Sequence, residues 1–398
     1  MSFIHKLFWP AANAESSSNS SITVEVATTV VATVAALSLI RRAFRPVRPK
    51  AIASPLKTVI PGLSKEQLDR LEYKPDAFPG ARDVETPYGS IRVYEWGPET
   101  GEKVLFVHGI TTSCQSLGKL AHSLVNDKGC RVMLFDLFGR GFSDGVGDLP
   151  HDARLYTTQM LLALASSPLA WSGTDGFTLI GYSLGGGISV HFAGSFPHLV
   201  SHLILLAPAG IIRAEKFGVV NRFIFTAGLV PERLLAYLTK KKLQKPIAAN
   251  TRRAPEQNHH IINDPISASL TETADPLPSQ NNAHLVPLNL QVIRYVRWML
   301  DHHAGFVPAF MSCIREAPLI DQHAAWAKLA ERKPKSTTVI LARADEIIDP
   351  EEFAADALPL LGGRGNVNWI VVDGGHDFVM THDRQVLAAM QAAGNQQS

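Results

Sequence analysis

The sequence predicts an α/β protein in which a mostly parallel sheet is flanked by helices. Short, nearly continuous apolar runs recur along the chain, as expected of strands covered on both faces, and several are followed by helix-like stretches. With 46% hydrophobic and 19% charged residues, the 398-residue chain has the composition of a globular protein with a large core. We also expect a helical cap insertion in this domain and an N-terminal transmembrane helix before it.

The N-terminal region indicates a membrane anchor. After a tail over residues 1–21, the run over residues 22–40 is apolar apart from a few hydroxyl side chains and Glu25, and its length is just sufficient to cross a bilayer. A cleaved signal peptide would carry its basic region before the apolar run, whereas here the basic residues follow it. These residues are Arg41, Arg42, Arg45, Arg48 and Lys50. The pattern predicts a single-pass membrane protein, bound through this helix and its basic flank, with the domain that follows in the cytoplasm.

A basic, Pro-rich linker is predicted over residues 41–80, followed by the first part of the core over residues 81–210. The alternating stretches Arg82–Glu85 and Ile91–Trp96 predict a hairpin around the turn that begins at Thr86. The apolar runs that predict the next strands are Val104–Val107, Val132–Phe135, Phe177–Ile180 and Leu203–Leu206. The intervening helices are predicted at Ser116–Asn126, Arg154–Ser166 and Leu184–Ser195.

The strand–helix rhythm breaks over residues 211–335, which we interpret as a cap or lid insertion over the carboxyl edge of the sheet. The stretches Phe217–Leu243 and Leu290–Leu300 have the pattern of helices. The rhythm returns in the second part of the core, residues 336–398, with strands at Thr338–Leu341 and Val367–Val372 and a helix at Glu351–Leu361.

A G-x-S-x-G motif, Gly181-Tyr182-Ser183-Leu184-Gly185, follows a predicted strand and precedes a predicted helix. In that context the serine lies on a sharp, strained turn with its hydroxyl exposed, and is a candidate nucleophile. The flanking glycines are required because side chains would clash where strand and helix approach. The nearby N-terminus of the helix favours negative charge. Ser183 is therefore the predicted nucleophile.

His108-Gly109-Ile110-Thr111 lies at the end of an earlier predicted strand. The main-chain N–H groups of Ile110 and Leu184 are the predicted oxyanion hole, which stabilises the negative oxygen of a tetrahedral intermediate. We expect His108 to brace this loop rather than to carry a proton.

The acid and the base are predicted after the two late strands. Asp345 lies four residues beyond the run Thr338–Leu341, where an acid at a strand end would face an imidazole. Glu346 and Asp349 are the alternatives, although Asp349 precedes Pro350 as the start of a helix does. His376 follows Gly374 and Gly375, whose tight turn can return the imidazole to the serine.

Several classes of protein are disfavoured by composition. A net charge of +2 gives no indication of nucleic-acid binding. Three cysteines without a CxxC pair support neither a disulfide framework nor a zinc knuckle, and no histidine spacing makes a convincing metal site. No phosphate loop and no independent flavin or nicotinamide fingerprint is present, so we expect neither a cofactor nor a metal.

Over about residues 82–390 these motifs together resemble the α/β-hydrolase superfamily. The stretch from Phe135 to Asp144, FDLFGRGFSD, resembles the D-x-x-G-x-G-x-S loop of its esterase-like and epoxide-hydrolase-like members. The resemblance implies the α/β-hydrolase fold and a triad in the chain order Ser183, Asp345, His376. Epoxide hydrolases and dehalogenases have aspartate at the nucleophile position, so Ser183 excludes a carboxylate nucleophile. The H-G-x-G of monoglyceride-lipase-like enzymes is absent, which leaves lipase activity possible but unselected.

The resemblance implies a serine hydrolase that cleaves carboxylic esters or thioesters through an acyl-enzyme, and the expected anchor favours small apolar substrates. An acyltransferase, a lactonase or a cyclase of a biosynthetic pathway would use the same triad. A non-catalytic, membrane-tethered binding protein on the same scaffold is the alternative of another class, because a fold alone never fixes function. The sequence gives no indication of oligomeric state.

Overall fold

The centre of the protein is an eight-stranded, mostly parallel sheet with the strand order β10-β9-β8-β7-β4-β5-β3-β2. The computed structural model describes residues 19–43, 49–173, 176–213, 230–244 and 286–395. Within these residues, the strands of the large sheet are β2 (Arg82–Thr86), β3 (Gly89–Trp96), β4 (Lys103–Val107), β5 (Arg131–Phe135), β7 (Phe177–Tyr182), β8 (Val200–Leu206), β9 (Thr337–Ala342) and β10 (Asn368–Val372). A smaller, two-stranded sheet pairs β1 (Ala51–Ile52) with β6 (Gly145–Val146).

The predicted fold class is confirmed. The hairpin β2–β3 and the pair β3–β5 are antiparallel, and every other pairing in the large sheet is parallel. Every residue of β3, β7 and β9 is buried, because helices cover both faces of the sheet. Such strands need apolar side chains on both faces, which explains the continuous apolar runs in the sequence.

The described helices, in chain order, are α1 (Asn19–Ala43), α2 (Pro55–Thr58), α3 (Lys65–Asp69), α4 (Gly118–Lys128), α5 (Ala153–Ala165), α6 (Leu184–Ser195), α7 (Glu232–Leu243), α8 (Leu288–His302), α9 (Phe306–Glu316), α10 (His323–Ala327), α11 (Pro350–Leu360), α12 (Phe378–Thr381) and α13 (Asp383–Asn395). Short 3-10 turns occur at Ile60–Gly62, Cys114–Leu117 and Lys328–Glu331. Two of these helices begin at aspartates whose side chains accept hydrogen bonds from the first free N–H groups. They are Asp152 before α5 and Asp349 before α11.

The N-terminal helix does not support the predicted membrane anchor. The chain divides into two compact units, residues 1–48 and 49–398, and α1 belongs to the first. Among the described residues, no helix combines the length and the apolar composition that crossing a bilayer requires. The transmembrane segment predicted over residues 22–40, part of which lies outside the described side chains, is therefore not supported by the structure.

Residues 49–80 differ from the linker that the sequence predicts there, because part of this segment packs into the core of the second unit. The Tyr73 ring is fully buried and stacks on Phe142 at 5.1 Å, and the Phe78 ring stacks on Trp96 at 5.5 Å. The Tyr73 hydroxyl donates a hydrogen bond to Asp136 Oδ2 at 3.1 Å. These aromatic side chains bury large apolar areas, which outweighs the linker-like proline and basic composition nearby.

The described part of the predicted cap comprises α7 to α10, while residues 214–229 and 245–285 of the cap lie outside the described residues. α8 and α9 pack on the loop over residues 136–146, which follows β5. The Gly141 N–H contacts Met299 Sδ at 3.1 Å, and His303 Nε2 donates to the Ser143 carbonyl at 3.0 Å. Since β5 is part of the parallel core, these two helices lie at the carboxyl edge of the sheet, where the cap is predicted.

His151 makes the fold sensitive to acid. Its ring is buried 5.9 Å from the Tyr156 ring, and neither ring nitrogen has a hydrogen-bond partner among the described residues. Burial first, and then the charge of Arg140, lower the pKa of His151 to about 3. An unfolded histidine binds a proton below about pH 6.5, so protonation favours the unfolded chain between these two values.

We therefore predict that His151→Phe flattens the pH dependence of stability. In the wild type, the free energy of unfolding decreases as the pH falls below about 6.5, and His151 contributes a slope of up to about 1.4 kcal/mol per pH unit. Urea denaturation at several values between pH 4 and pH 7.5, about the range of that titration, measures the slope. His323→Gln, at an exposed position, is the control and is expected to keep the wild-type slope. An equal slope in His151→Phe contradicts the prediction.

Candidate active site

Ser183 lies on a strained turn between β7 and α6. Its backbone has φ 53° and ψ −119°, a conformation that residues with a side chain rarely adopt. Hydrogen bonds on both sides hold it: the Ser183 N–H donates to the Leu206 carbonyl at 3.0 Å, and the Ser183 carbonyl accepts from Gly186 and Ala209, each at 2.9 Å. Backbone strain of this kind costs about 1–3 kcal/mol and persists only where the surrounding structure over-determines it.

The glycines around Ser183 allow the helix to begin directly after the strand. A Cβ atom on Gly185 would lie 2.1 Å from the Val107 carbonyl oxygen, and one on Gly181 would lie 2.5 Å from the Gly185 carbonyl oxygen. Both distances are far below van der Waals contact. Glycine is thus needed at these two positions, as the sequence motif predicts, because the backbone of α6 lies in direct contact with β4 and β7.

A continuous hydrogen-bonded chain joins Ser183, His376 and Asp345. His376 Nε2 lies 3.1 Å from Ser183 Oγ, and His376 Nδ1 lies 2.8 Å from Asp345 Oδ2. The side chains of His376 and Asp345 are fully buried. Because a carboxylate can only accept, Nδ1 carries the proton, and Nε2 of the neutral ring is left to accept from the serine hydroxyl.

Asp345 is the one of the three predicted acids that contacts the imidazole. Its other oxygen, Oδ1, accepts hydrogen bonds from the Ile347 and Ile348 N–H groups at 2.8 Å, which orient the carboxylate. Asp349 instead caps α11, with Oδ1 accepting from Glu351 and Glu352 N–H groups at 3.0 and 2.9 Å.

Glu346, the remaining alternative, lies near the histidine loop. Its carboxylate oxygens are 3.4 and 3.6 Å from the position that a Gly375 Cβ atom would occupy. The pKa of Glu346 is raised, first by loss of hydration and then by the negative charge of Asp345. The carboxylate therefore adds negative charge beside His376, in a position distinct from that of Asp345.

Tyr182, which sequence reasoning missed, positions His376. Its hydroxyl donates to the His376 carbonyl at 2.9 Å, and the two rings lie 5.4 Å apart between centroids. The tyrosine directly precedes the serine in the chain, so the histidine loop is bonded to the elbow itself. Its place inside the G-x-S-x-G motif was the available signal, but the x positions of that motif are unspecified.

The predicted oxyanion residues lie on adjacent loops. β4 and β7 pair in parallel with Val107 opposite Gly181, so the loop that carries Ile110 and the turn that carries Leu184 leave the sheet side by side. His108 is fully buried and braces its loop as expected. Its Nε2 accepts from the Leu137 N–H at 2.9 Å, which leaves Nδ1–H to donate to the Gly109 carbonyl, also at 2.9 Å.

The described residues contain no group of three or more His, Cys, Asp or Glu side chains arranged to hold a metal ion. At this edge of the sheet the structure brings together a serine hydroxyl, an imidazole and a carboxylate.

A strand-to-helix turn that presents a serine above a mostly parallel sheet is typical of hydrolases with a serine nucleophile. The chain belongs to the α/β-hydrolase family, because residues 103–383 match the family model described as "alpha/beta hydrolase fold".

Two curated proteins are similar to part of this chain. A serine hydrolase-like protein of Dictyostelium discoideum is 32% identical over 129 residues, which are 32% of this chain and 34% of that protein. Lipase LipV of Mycobacterium tuberculosis is 30% identical over 119 residues, or 30% of this chain and 42% of the lipase. The chain thus spans between a third and a half of the length of these relatives.

Among solved structures, a thermophilic esterase from Thermogutta terrifontis has a TM-score of 0.55 and 18% identity, with 79% of this chain and 98% of that chain covered. This likeness concerns the fold. By family, the chain is an α/β-hydrolase.

We predict that Gly185→Ala disrupts the elbow. The added methyl group would collide with the Val107 and His108 carbonyl oxygens, at 2.1 and 2.6 Å, which a flexible side chain cannot relieve. We expect a loss of about 1–3 kcal/mol in the free energy of unfolding, as for other overpacked positions. Chemical denaturation measures this loss.

Gly194→Ala in the same helix is the matched control. There the nearest atom outside the helix, Lys328 Cδ, lies at 3.4 Å, so the methyl group fits and the higher helix propensity of alanine stabilises by up to about 1 kcal/mol. Equal stability changes in the two variants would contradict the requirement for close approach at Gly185.

Proposed function

We propose that the protein is a serine hydrolase that cleaves carboxylic esters through Ser183, His376 and Asp345. The observation that carries the proposal is the hydrogen-bonded chain at one edge of the sheet, with 3.1 Å between Ser183 Oγ and His376 Nε2 and 2.8 Å between His376 Nδ1 and Asp345 Oδ2. Both distances are within the range that direct proton transfer and orientation of the base require.

In the proposed mechanism, Ser183 Oγ attacks the ester carbonyl carbon while His376 Nε2 takes the hydroxyl proton. Asp345 holds the Nδ1–H tautomer and stabilises the imidazolium that forms. His376 then donates the proton to the leaving alcohol, which departs and leaves an acyl-enzyme. Water attacks this ester, with His376 again as base, and releases the carboxylic acid and the free serine.

The negative oxygen of each tetrahedral intermediate is held by the main-chain N–H groups of Ile110 and Leu184. Two observations support this assignment. Leu184 is the first residue of α6, whose N-terminus favours negative charge, and the Ile110 loop leaves the sheet beside it. Donors that are fixed before the reaction need no reorganisation in the transition state.

For the substrate, we propose a small ester of apolar character. Lipase LipV, which is 30% identical to this chain over 119 residues, supports ester cleavage. The two proposed donor residues, Ile110 and Leu184, both carry buried apolar side chains, so the surroundings of the reacting carbonyl favour an apolar group.

We predict that Ser183→Ala abolishes both the hydrolysis of p-nitrophenyl esters and covalent labelling by a fluorophosphonate probe. In the proposed mechanism, Ser183 Oγ is the protein atom that bonds to the ester carbonyl carbon or to the phosphorus of the probe, and the variant lacks it. Labelling is measured on the folded protein by gel fluorescence and intact mass. Ser195→Ala, at the exposed end of the same helix, is the control and is expected to label fully. Retained labelling of Ser183→Ala would overturn the proposed function.

The identity of the acid is tested by Asp345→Asn against Glu346→Gln. An asparagine at 345 favours the wrong imidazole tautomer, so we expect kcat to fall by up to about 10⁴-fold with little change in KM. Glu346→Gln removes a neighbouring charge without touching the Nδ1 hydrogen bond, and its kcat is expected to stay within about tenfold of the wild type. Steady-state ester hydrolysis measures both, and the reverse order of effects would assign Glu346 as the acid.

A further inference from the structure

Arg140 is a fully buried arginine in the loop over residues 136–146, and its guanidinium contacts the loop that carries Ile110. Arg140 Nε donates a hydrogen bond to the Ile110 carbonyl at 2.9 Å. We propose that Arg140 is a positioning residue that sets the orientation of the Ile110 N–H donor and links it to cap helix α9. This inference rests on the proposed function, since it concerns the oxyanion hole of that reaction.

The first step of the argument is the geometry of the two peptide units that flank the Ile110 Cα atom. The preceding unit contains the Gly109 carbonyl and the Ile110 N–H, which point in opposite directions because a trans peptide is planar. His108 Nδ1 holds that carbonyl at 2.9 Å. The following unit contains the Ile110 carbonyl, which Arg140 holds. With both units fixed, the φ and ψ of Ile110 are fixed, and so is the direction of its N–H group.

The second step is what else the guanidinium touches. Arg140 Nη1 donates to the Phe138 carbonyl at 3.1 Å and contacts the Tyr156 hydroxyl at 3.4 Å. Arg140 Nη2 contacts Cys313 Sγ at 3.4 Å, and the Phe306 ring of α9 lies 6.0 Å from the guanidinium carbon. One rigid group therefore contacts the Ile110 loop, its own loop, α5 and α9.

The contacts on the cap side are joined to each other. The Tyr156 hydroxyl and Cys313 Sγ lie 3.0 Å apart, and both are buried against the guanidinium. Because these groups pack without exposure to solvent, a displacement of α9 moves the Nη side of the guanidinium. The planar fork transmits this movement to Nε and so to the Ile110 carbonyl. The orientation of the proposed oxyanion donor thus depends on the position of the cap.

A lysine cannot replace this function. The guanidinium presents donors in a fixed planar fork, so Nε and both Nη groups bond in set directions at the same time. An ammonium group is a single point with rotating donors at the end of a flexible chain. It can keep the charge in the cavity, but it cannot hold the Ile110 carbonyl while it contacts Phe138 and Cys313.

Misorientation of an oxyanion donor has a specific kinetic signature. The donor interacts more strongly with the oxyanion of the tetrahedral intermediate than with the neutral carbonyl of the bound ester, so its loss lowers kcat rather than raising KM. The same donor stabilises a bound trifluoromethyl ketone, because Ser183 adds to the carbonyl carbon of this inhibitor and forms an oxyanion. An ether analogue of the ester has no carbonyl group, so its binding does not depend on the donor. A general loss of packing would weaken both inhibitors together.

The test is Arg140→Lys in the full chain, compared with Arg92→Lys. Arg92 is also an almost fully buried arginine, but it pairs with Asp83 and the Pro75 carbonyl. For Arg140→Lys we expect kcat to fall by about tenfold to hundredfold, as for a catalytic group displaced by about 1 Å, with KM within about twofold. The inhibition constant of an alkyl trifluoromethyl ketone rises by the same factor as kcat falls, and that of the ether analogue stays within about twofold. Arg92→Lys is expected to lower the melting temperature and leave all four constants unchanged.

Three results would overturn the inference: wild-type kcat and trifluoromethyl ketone binding in Arg140→Lys, equal weakening of both inhibitors, or the same kinetic pattern in Arg92→Lys. If Arg140→Lys does not fold, Cys313→Ala keeps the arginine and removes one of its contacts on α9. For Cys313→Ala we expect a smaller fall in kcat and a matching rise in the inhibition constant of the trifluoromethyl ketone. If neither constant changes, the proposed link between Arg140 and the cap is overturned. Failure of the proposed function is distinct, because the wild type itself would then neither label with a fluorophosphonate nor bind the trifluoromethyl ketone.

Discussion

The contact between the backbone of α6 and the carboxyl ends of β4 and β7 is the constraint on which the site depends. A helix that starts directly after a strand must pass so close to the neighbouring strand that no side chain fits between them, as at Gly185. This contact forces Ser183 into its strained conformation and brings the first N–H of the helix beside the loop after β4. The nucleophile and its surroundings thus result from one packing requirement between three backbone segments.

Local patterns in the sequence were sufficient to predict the elements that carry this arrangement. The strands of the large sheet from β4 to β10 and the helix over Leu184–Ser195 are predicted to within a few residues, because strands covered on both faces need unbroken apolar runs. The residues brought together at the carboxyl edge, Ser183, His376 and Asp345, each follow a strand in a recognisable local motif. Their assignment as catalytic groups remains a prediction until the variants are measured.

Features that depend on contacts distant in sequence were not predictable in the same way. The helix Phe306–Glu316 and the packing of Tyr73 in a proline-containing segment are determined by what each apolar face meets after folding. The role of Arg140 depends on a carbonyl 30 positions away in the chain.

The hydrogen bond from the Tyr182 hydroxyl to the His376 carbonyl has a mechanical consequence. The histidine loop follows β10, an edge strand, and edge strands are held by a neighbour on one side alone. Through the tyrosine, however, the loop is fastened to the residue before Ser183, at the centre of the sheet. This hydrogen bond therefore limits how far a movement of the edge strands can displace the His376 ring. The distance between His376 and Ser183 is kept by a contact with the central strand β7.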